Sequence, residues 1–184
     1  MTSGTSIQDD GRLLANSRRD GVLARATARD VTAEFRAQIE VALNAGLRPT
    51  HLDWHCLADG GREDIFELTL ALADEYHPAI RAWSEHGRQR VQASGRIPTD
   101  QLFLDSFAIP IDRKQSHLVD QIRRLPVGLS EWAIHPAAHN PHDPGTDVRE
   151  SDYQALMSPA LQEAIDDEGI TVLGYGDLVR RPAR

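Results

Sequence analysis

In the run Pro49-Thr50-His51-Leu52-Asp53-Trp54-His55-Cys56, two imidazoles and a carboxylate recur at every second position. Side chains of a strand alternate between faces, so a strand here sets His51, Asp53 and His55 on one face and Leu52 and Trp54 on the other. Buried parallel strands read as nearly continuous aliphatic runs, and a polar triplet among them is costly unless something satisfies it. A divalent metal would do so: neutral imidazole binds Zn, Fe, Ni or Co, and a nearby carboxylate orients the ring or takes a coordination place. A half-exposed edge strand with hydrated histidines fits the same spacing, and the pattern leaves both readings open. Cys56 falls on the face of Leu52 and Trp54, as a small buried hydrophobe rather than a nucleophile.

The second run is Ser130-Glu131-Trp132-Ala133-Ile134-His135-Pro136. As a strand it turns Glu131, Ala133 and His135 one way and Trp132 and Ile134 the other, with His135 at its C-terminal end. Ligands and catalytic groups gather at the C-terminal ends of parallel strands, so His55 and His135 point to one site. A loop histidine bonded to backbone is the structural alternative for His135. His139, His142 and Asp143 lie in a Pro-rich loop and read as surface residues, as do His77, His86 and His117.

The elements that must position these residues are legible from apolar spacing and turn residues. Residues 2–29 are rich in Ser, Gly, Asp and Arg and read as loop with one short element. Val31, Phe35, Ile39, Ala42 and Leu43 recur at helical spacing, and Gly46 stops that helix. Pro49 to His55 follows as a strand, and Gly60-Gly61 breaks the chain before a helix marked by Ile65, Leu68, Leu72 and Tyr76. Ala79 to Trp83 reads as a strand, then a long polar loop carries His86, Arg88, Arg90 and Gly95. Gln101 to Phe107 is a further strand, Leu118, Ile122 and Leu125 a further helix, and Leu129 to His135 the strand described above. Ser158-Pro159 opens a last helix over Leu161, Ala164 and Ile165, since Ser caps free amides and Pro tolerates the first helical position. Ile170 to Leu173 is expected as a terminal strand and Gly174 to Arg180 as a tail or short helix. Strands alternating with helices predict a parallel sheet in an α/β fold.

The chain's 184 residues, 40% hydrophobic, suit one domain with a real core. The formal charge of -8 argues against a nucleic-acid partner, which wants a basic patch. A single cysteine allows no internal disulfide and fits a reducing compartment. Apolar runs are short and broken by charge, which argues against a membrane span, and a cytoplasmic soluble protein is the expectation.

The stretch from Ala37-Gln38-Ile39-Glu40 through Gly46-Leu47-Arg48-Pro49-Thr50-His51-Leu52-Asp53-Trp54-His55 resembles the YdjC-like (ChbG/HpnK-like) carbohydrate deacetylases, in which a helix leads into a Thr-His-x-Asp-x-His strand. Ser130 to Pro136 is similar to that family's late strand ending in His-Pro, and Asp152-Tyr153, Met157-Ser158-Pro159 and Gly169-Ile170 are similar to its C-terminal helix and strand. The likeness runs from Ser6 to Val179 in one domain, 1–184. It implies a distorted, incomplete TIM-like (β/α) barrel of mostly parallel strands, carrying a metal-dependent hydrolase that removes acetyl groups from N-acetylated sugars or oligosaccharides. On it, His55 would be a ligand of a divalent ion, Mg or Zn, with His51 and Asp53 around it. His135 would be the general acid for the leaving amine, and Arg81 would contact substrate.

Two family features are missing. Neither the Asn-Ala-Asp-Asp-Phe-Gly strand nor the Gly-x-His-x-x-Leu-Thr strand is present, and Asp9-Asp10-Gly11 matches a loop rather than the first of them. By that likeness the chain starts after the first two strands and keeps one metal ligand of three, where catalytic zinc normally has three. It also leaves a parallel edge that a homo-oligomer would cover. The expected function is thus a deacetylase or its C-terminal part. The alternative is a non-catalytic remnant that binds a sugar or a protein. A TIM-barrel amidohydrolase is a weaker third, because it places two histidines closer together on its first strand.

Overall fold

The computed structural model describes residues 5–10, 12–14, 19–55 and 57–179. They fall in two compact units, one within Met1–Pro98 and Gly174–Arg184, the other Thr99–Leu173. The expectation for Cys56 lies outside the described residues.

The first unit opens with a short antiparallel pair, β1 (Gln8–Asp9) and β2 (Arg12–Leu13), followed by α1 (Arg19–Arg25). Arg25 ties α1 to this pair by donating to the Ser6 and Gln8 carbonyls and to the Asp9 carboxylate. Helix α2 (Ala28–Asn44) starts where expected: the Thr27 hydroxyl accepts from the Asp30 amide at 3.2 Å and caps the first turn. Asp30 in turn accepts from the Ser6 amide and hydroxyl at 3.0 and 2.6 Å, and the hydroxyl bond above all holds its carboxyl below the usual range.

Next come β3 (His51–Leu52), α3 (Glu63–Tyr76), β4 (Ala79–Ile80) and α4 (Glu85–Ala93). Strands β3 and β4 run parallel with His51 opposite Ala79. Helix α3 ends on His77, whose φ of 64° is the left-handed conformation that terminates helices. Ile65, Phe66 and Ala73 of α3, with Val31, Trp54, Ile80 and Val91, form this unit's core, to which Ile7 and Ala26 from the N-terminal segment also belong.

Helix α4 replaces the long polar loop expected there. It carries few buried residues, Gly87 and Val91, so no apolar period announces it. It is held by polar chemistry instead. Ser84 caps its first turn through the Gly87 amide, and Arg90 reaches Glu63 and Glu67 on α3 while lying 4.6 Å from the centre of the Phe66 ring.

The second unit contains β5 (Leu104–Asp105), α5 (Lys114–Ile122), β6 (Trp132–Ala133), α6 (Thr146–Leu156) and α7 (Pro159–Asp167). Strands β5 and β6 are parallel, with Leu104 opposite Trp132. Ile109, Leu118, Ile122, Ala155, Leu161 and Ala164 make its core. The Ser158 hydroxyl accepts from the Leu161 amide with Pro159 in the first turn, as expected.

The α/β class and the parallel pairing are as read from the sequence, and among the described residues the strands form three separate two-stranded pairs. The expected strands at Pro49 to His55, Ala79 to Trp83, Gln101 to Phe107 and Leu129 to His135 each shrink to a two-residue core, and the last ladder bonds are Arg81 to the Leu52 carbonyl at 3.0 Å and Ser106 to the Ala133 carbonyl at 3.0 Å. The expected strand at Ile170 to Leu173 does not form; those residues take no regular structure, and Val172 is 75% exposed. Helix α6 follows the Pro-rich loop, and its Asp152 and Tyr153 fall in the segment similar to the family's C-terminal helix.

Candidate functional site

In the first unit, β3 and β4 end side by side, and the residues just past them meet. Asp53 accepts from Arg81 Nη1 at 3.1 Å on one carboxylate oxygen and from Trp83 Nε1 at 3.2 Å on the other. The guanidinium also lies 4.9 Å from the centre of the Trp83 ring, a cation–π distance. Trp83 is fixed from behind by Asp59, which accepts from the Trp83 amide at 2.8 Å, the Ser84 amide at 3.2 Å and the Ser84 hydroxyl.

The polar triplet is not one face of a strand. The strand stops at Leu52, and the Leu57 amide bonds back to the Trp54 carbonyl at 3.0 Å, so His55 sits exposed in a turn. Trp54 does turn inward as expected: it is 5% exposed, stacks on Phe66 and donates to the Thr69 hydroxyl at 3.1 Å. His51 takes a different neighbour. Its ring stacks on Tyr175 with centroids 4.4 Å apart, and Nδ1 lies 3.1 Å from the Thr50 hydroxyl. The structure thus unites Asp53 with Arg81, gives His51 to Tyr175 and leaves His55 apart from both.

This arrangement does not fit a three-ligand metal centre. Asp53 already accepts from Arg81 on one carboxylate oxygen and from Trp83 on the other, while His51 stacks on Tyr175 and His55 lies exposed in a turn. Among the described residues, no group of three or more His, Cys, Asp or Glu is placed to hold a metal ion.

The second unit holds the other candidate, His135, just past β6. Its Nε2 lies 3.5 Å from Oδ1 of Asp105, the last residue of β5, and its ring stands edge-on to Phe107 with centroids 5.4 Å apart. The imidazole is partly open, with 35% of its side chain exposed. Its backbone is anchored: the His135 amide donates to Asp152 Oδ2 at 2.8 Å. Asp152 is fully buried and also takes the Ser106 hydroxyl at 2.6 Å and the Lys114 ammonium at 2.7 Å. Burial opposes its ionisation, but the bonds from Lys114, Ser106 and the His135 amide outweigh that and hold its carboxyl below the usual range. The His135 imidazole thus stands beside a carboxylate while its backbone is anchored on Asp152.

Asp105, Phe107, Trp83, Ser106, Lys114 and Asp152 were not among the site residues expected from the sequence. Asp105 had a signal, since it is a carboxylate near the C-terminal end of an expected strand, the rule that singled out His135. Asp152 lay in the segment similar to the family's C-terminal helix, but its pairing with Lys114 had no signal, because buried charge is invisible until packing is known. His139 is a surface residue as expected, with its Nδ1 3.1 Å from Glu150.

A family model described as YdjC-like protein matches residues 3–167. Among curated relatives, a protein named carbohydrate deacetylase from Clostridium beijerinckii is 32% identical over 103 residues, covering 56% of this chain and 39% of that one. One of the same name from Brevibacillus brevis is 23% identical, covering 97% of this chain and 75% of that one. The likeness to the Clostridium protein thus spans well under half of its length. A crystal structure from Enterococcus faecalis V583, provisionally described as a cellobiose-phosphate cleavage protein, aligns with a TM-score of 0.76 at 24% identity over 95% of this chain and 69% of that chain. That alignment establishes a shared fold.

Proposed function

Since this chain belongs to the YdjC-like family, we propose that it is a carbohydrate-deacetylase-like hydrolase acting on the amide of an N-acetylated sugar or oligosaccharide. The observation that carries the reading is the His135–Asp105 pair, an imidazole and a carboxylate 3.5 Å apart at the ends of two paired parallel strands. The relatives named carbohydrate deacetylase supply the substrate class.

Hydrolysis of an acetamide adds water across the C–N bond and releases acetate and an amine. The amine is a poor leaving group until its nitrogen carries a proton, and a positioned imidazolium supplies one as the bond breaks. His135 takes that role, and Asp105 orients its ring and offsets the positive charge. Arg81 and Trp83, both held by Asp53, offer a cation and an indole of the kind that contact sugar hydroxyls and ring faces.

A divalent ion, Mg or Zn, enters this proposal with His55 as one candidate ligand and further donors from outside the described residues. The architecture we propose is a distorted, incomplete TIM-like barrel. No helix among the described residues is long and apolar enough to cross a membrane, and a single cysteine suits a cytoplasmic setting. A homo-oligomer is the state in which we place the protein.

The test is acetate release from N-acetylglucosamine oligomers by the purified chain, with His135→Asn alongside. Release that is lost in the variant supports the reading. Equal release from both would remove His135 from the chemistry, and sugar binding without release would favour a binding module.

A further inference from the structure

The geometry points to Asp152 as the positioning residue for the Asp105–His135 pair, with Lys114 as its counter-ion. The inference rests on the reading of that pair as the proton-handling site. A single oxygen, Asp152 Oδ2, accepts both the Ser106 hydroxyl at 2.6 Å and the His135 amide at 2.8 Å. Ser106 directly follows Asp105, so this one atom ties the chain beside the carboxylate to the backbone of the imidazole.

The strand ladder does not do this by itself. Its last rung between the two strands is the bond from the Ser106 amide to the Ala133 carbonyl at 3.0 Å, two residues short of His135. Beyond that rung, Asp152 sets where His135 leaves β6. The ring then meets Asp105 at 3.5 Å on one side and Phe107 edge-on at 5.4 Å on another.

Lys114 keeps the clamp in working form. Its ammonium lies 2.7 Å from Asp152 Oδ1 and 3.3 Å from the Val148 carbonyl, with the side chains of Lys114 and Asp152 1% and 0% exposed. A carboxylate accepts hydrogen bonds on every lone pair, whereas a protonated one must donate at one oxygen, and the ammonium favours the first form. Buried ion pairs are weak evidence for stability, because desolvation offsets their attraction. A full-length lysine and an aspartate in the core of this unit, meeting at the backbone of His135, are accounted for by the placement they enforce.

The experiment is proton NMR of the full 184-residue chain, reading the His135 ring resonances. Phe107 displaces them by its ring current, and His135→Ala and Phe107→Leu identify them. Ser106→Ala and Asp152→Asn are expected to move these resonances toward their Phe107→Leu positions while helix content stays at the wild-type level. In deacetylation, kcat should fall about 100-fold for Asp152→Asn, the loss typical of a roughly 1 Å misplacement, with KM little changed. Should Asp152→Asn fail to fold, Ser106→Ala decides, because it leaves the Lys114–Asp152 pair in place. His135 resonances at wild-type positions in folded Ser106→Ala would overturn the inference. A wild-type chain without deacetylase activity would overturn the proposed function and leave the resonance outcome standing.

Discussion

Arg81 and Asp53 close on one another at 3.1 Å, and the guanidinium that makes the contact also covers the Trp83 ring at 4.9 Å. Asp53 therefore has a cation already, and the segment whose spacing suggested a metal site uses its carboxylate to hold an arginine.

Titration of the purified chain with Zn and Mg is expected to show weak, sub-stoichiometric binding that His55→Ala barely alters, since catalytic zinc normally takes three protein ligands. One ion per chain that disappears in His55→Ala would show that donors beyond the described residues complete a centre.

Removing the Arg81 guanidinium should loosen Trp83 more than it unfolds the chain. With side chains 12% and 26% exposed, the pair is partly screened, and Arg81→Ala is expected to cost about 1 kcal/mol in urea unfolding. If Arg81 and Trp83 receive the sugar, the KM for N-acetylglucosamine oligomers should rise at least several-fold. An unchanged KM would take Arg81 out of substrate binding.

The proton-transfer pair is tested by unequal effects. His135→Asn should lower kcat by about 100-fold or more, the usual worth of a positioned acid. Asp105→Asn keeps the shape but loses the charge, so its loss should be smaller and should not add to that of His135→Asn in the double variant. Full additivity would mean that the two residues work independently.

Gly87 offers a reversal of sign. A helical glycine replaced by alanine ordinarily gains about 1 kcal/mol. At Gly87 a Cβ would stand 2.5 Å from the Asp59 carboxylate, which three bonds from Trp83 and Ser84 pin in place. Gly87→Ala should thus destabilise by about 1–3 kcal/mol, the cost of overpacking. In an Asp59→Ala background the same change should stabilise. Thermal melting of the two single variants and the double variant decides it.

Acid should weaken the second unit through Asp152. Its folded carboxyl titrates below its unfolded value of about 3.9, so its contribution is complete above that pH and is lost as pH falls through the folded value. Asp152→Asn leaves the Lys114 ammonium without its counter-charge and should cost about 3–5 kcal/mol near neutrality. The gap between wild type and variant in urea unfolding should narrow below about pH 3.9. A gap that stays constant to pH 2 would contradict the assignment.

The legible parts of the fold were those driven by apolar spacing and end chemistry. Ser158 caps its helix as its type suggests, and Trp54 is buried as expected. Helix α4 was not legible, because Arg90, Ser84 and Asp59 hold it rather than an apolar stripe. His135 lies just past a strand end, where the sequence puts it, and Asp105 ends the paired strand by the same rule. The position of His55 was not legible, because period-two alternation assumes a strand that the ladder in fact stops at Leu52. The buried Lys114–Asp152 pair joins residues 38 apart in sequence and leaves no local trace.

The stack of Tyr175 on His51, with Gly176 against Thr50, closes the first unit with a segment made after the whole of Thr99–Leu173. On the ribosome, where domains tend to fold as units as they emerge, the intervening unit can therefore finish before the unit that began first. Until Tyr175 leaves the exit tunnel, the ring of His51 lacks its cover, and the earlier strand of the parallel pair waits for an aromatic residue made after the whole intervening unit.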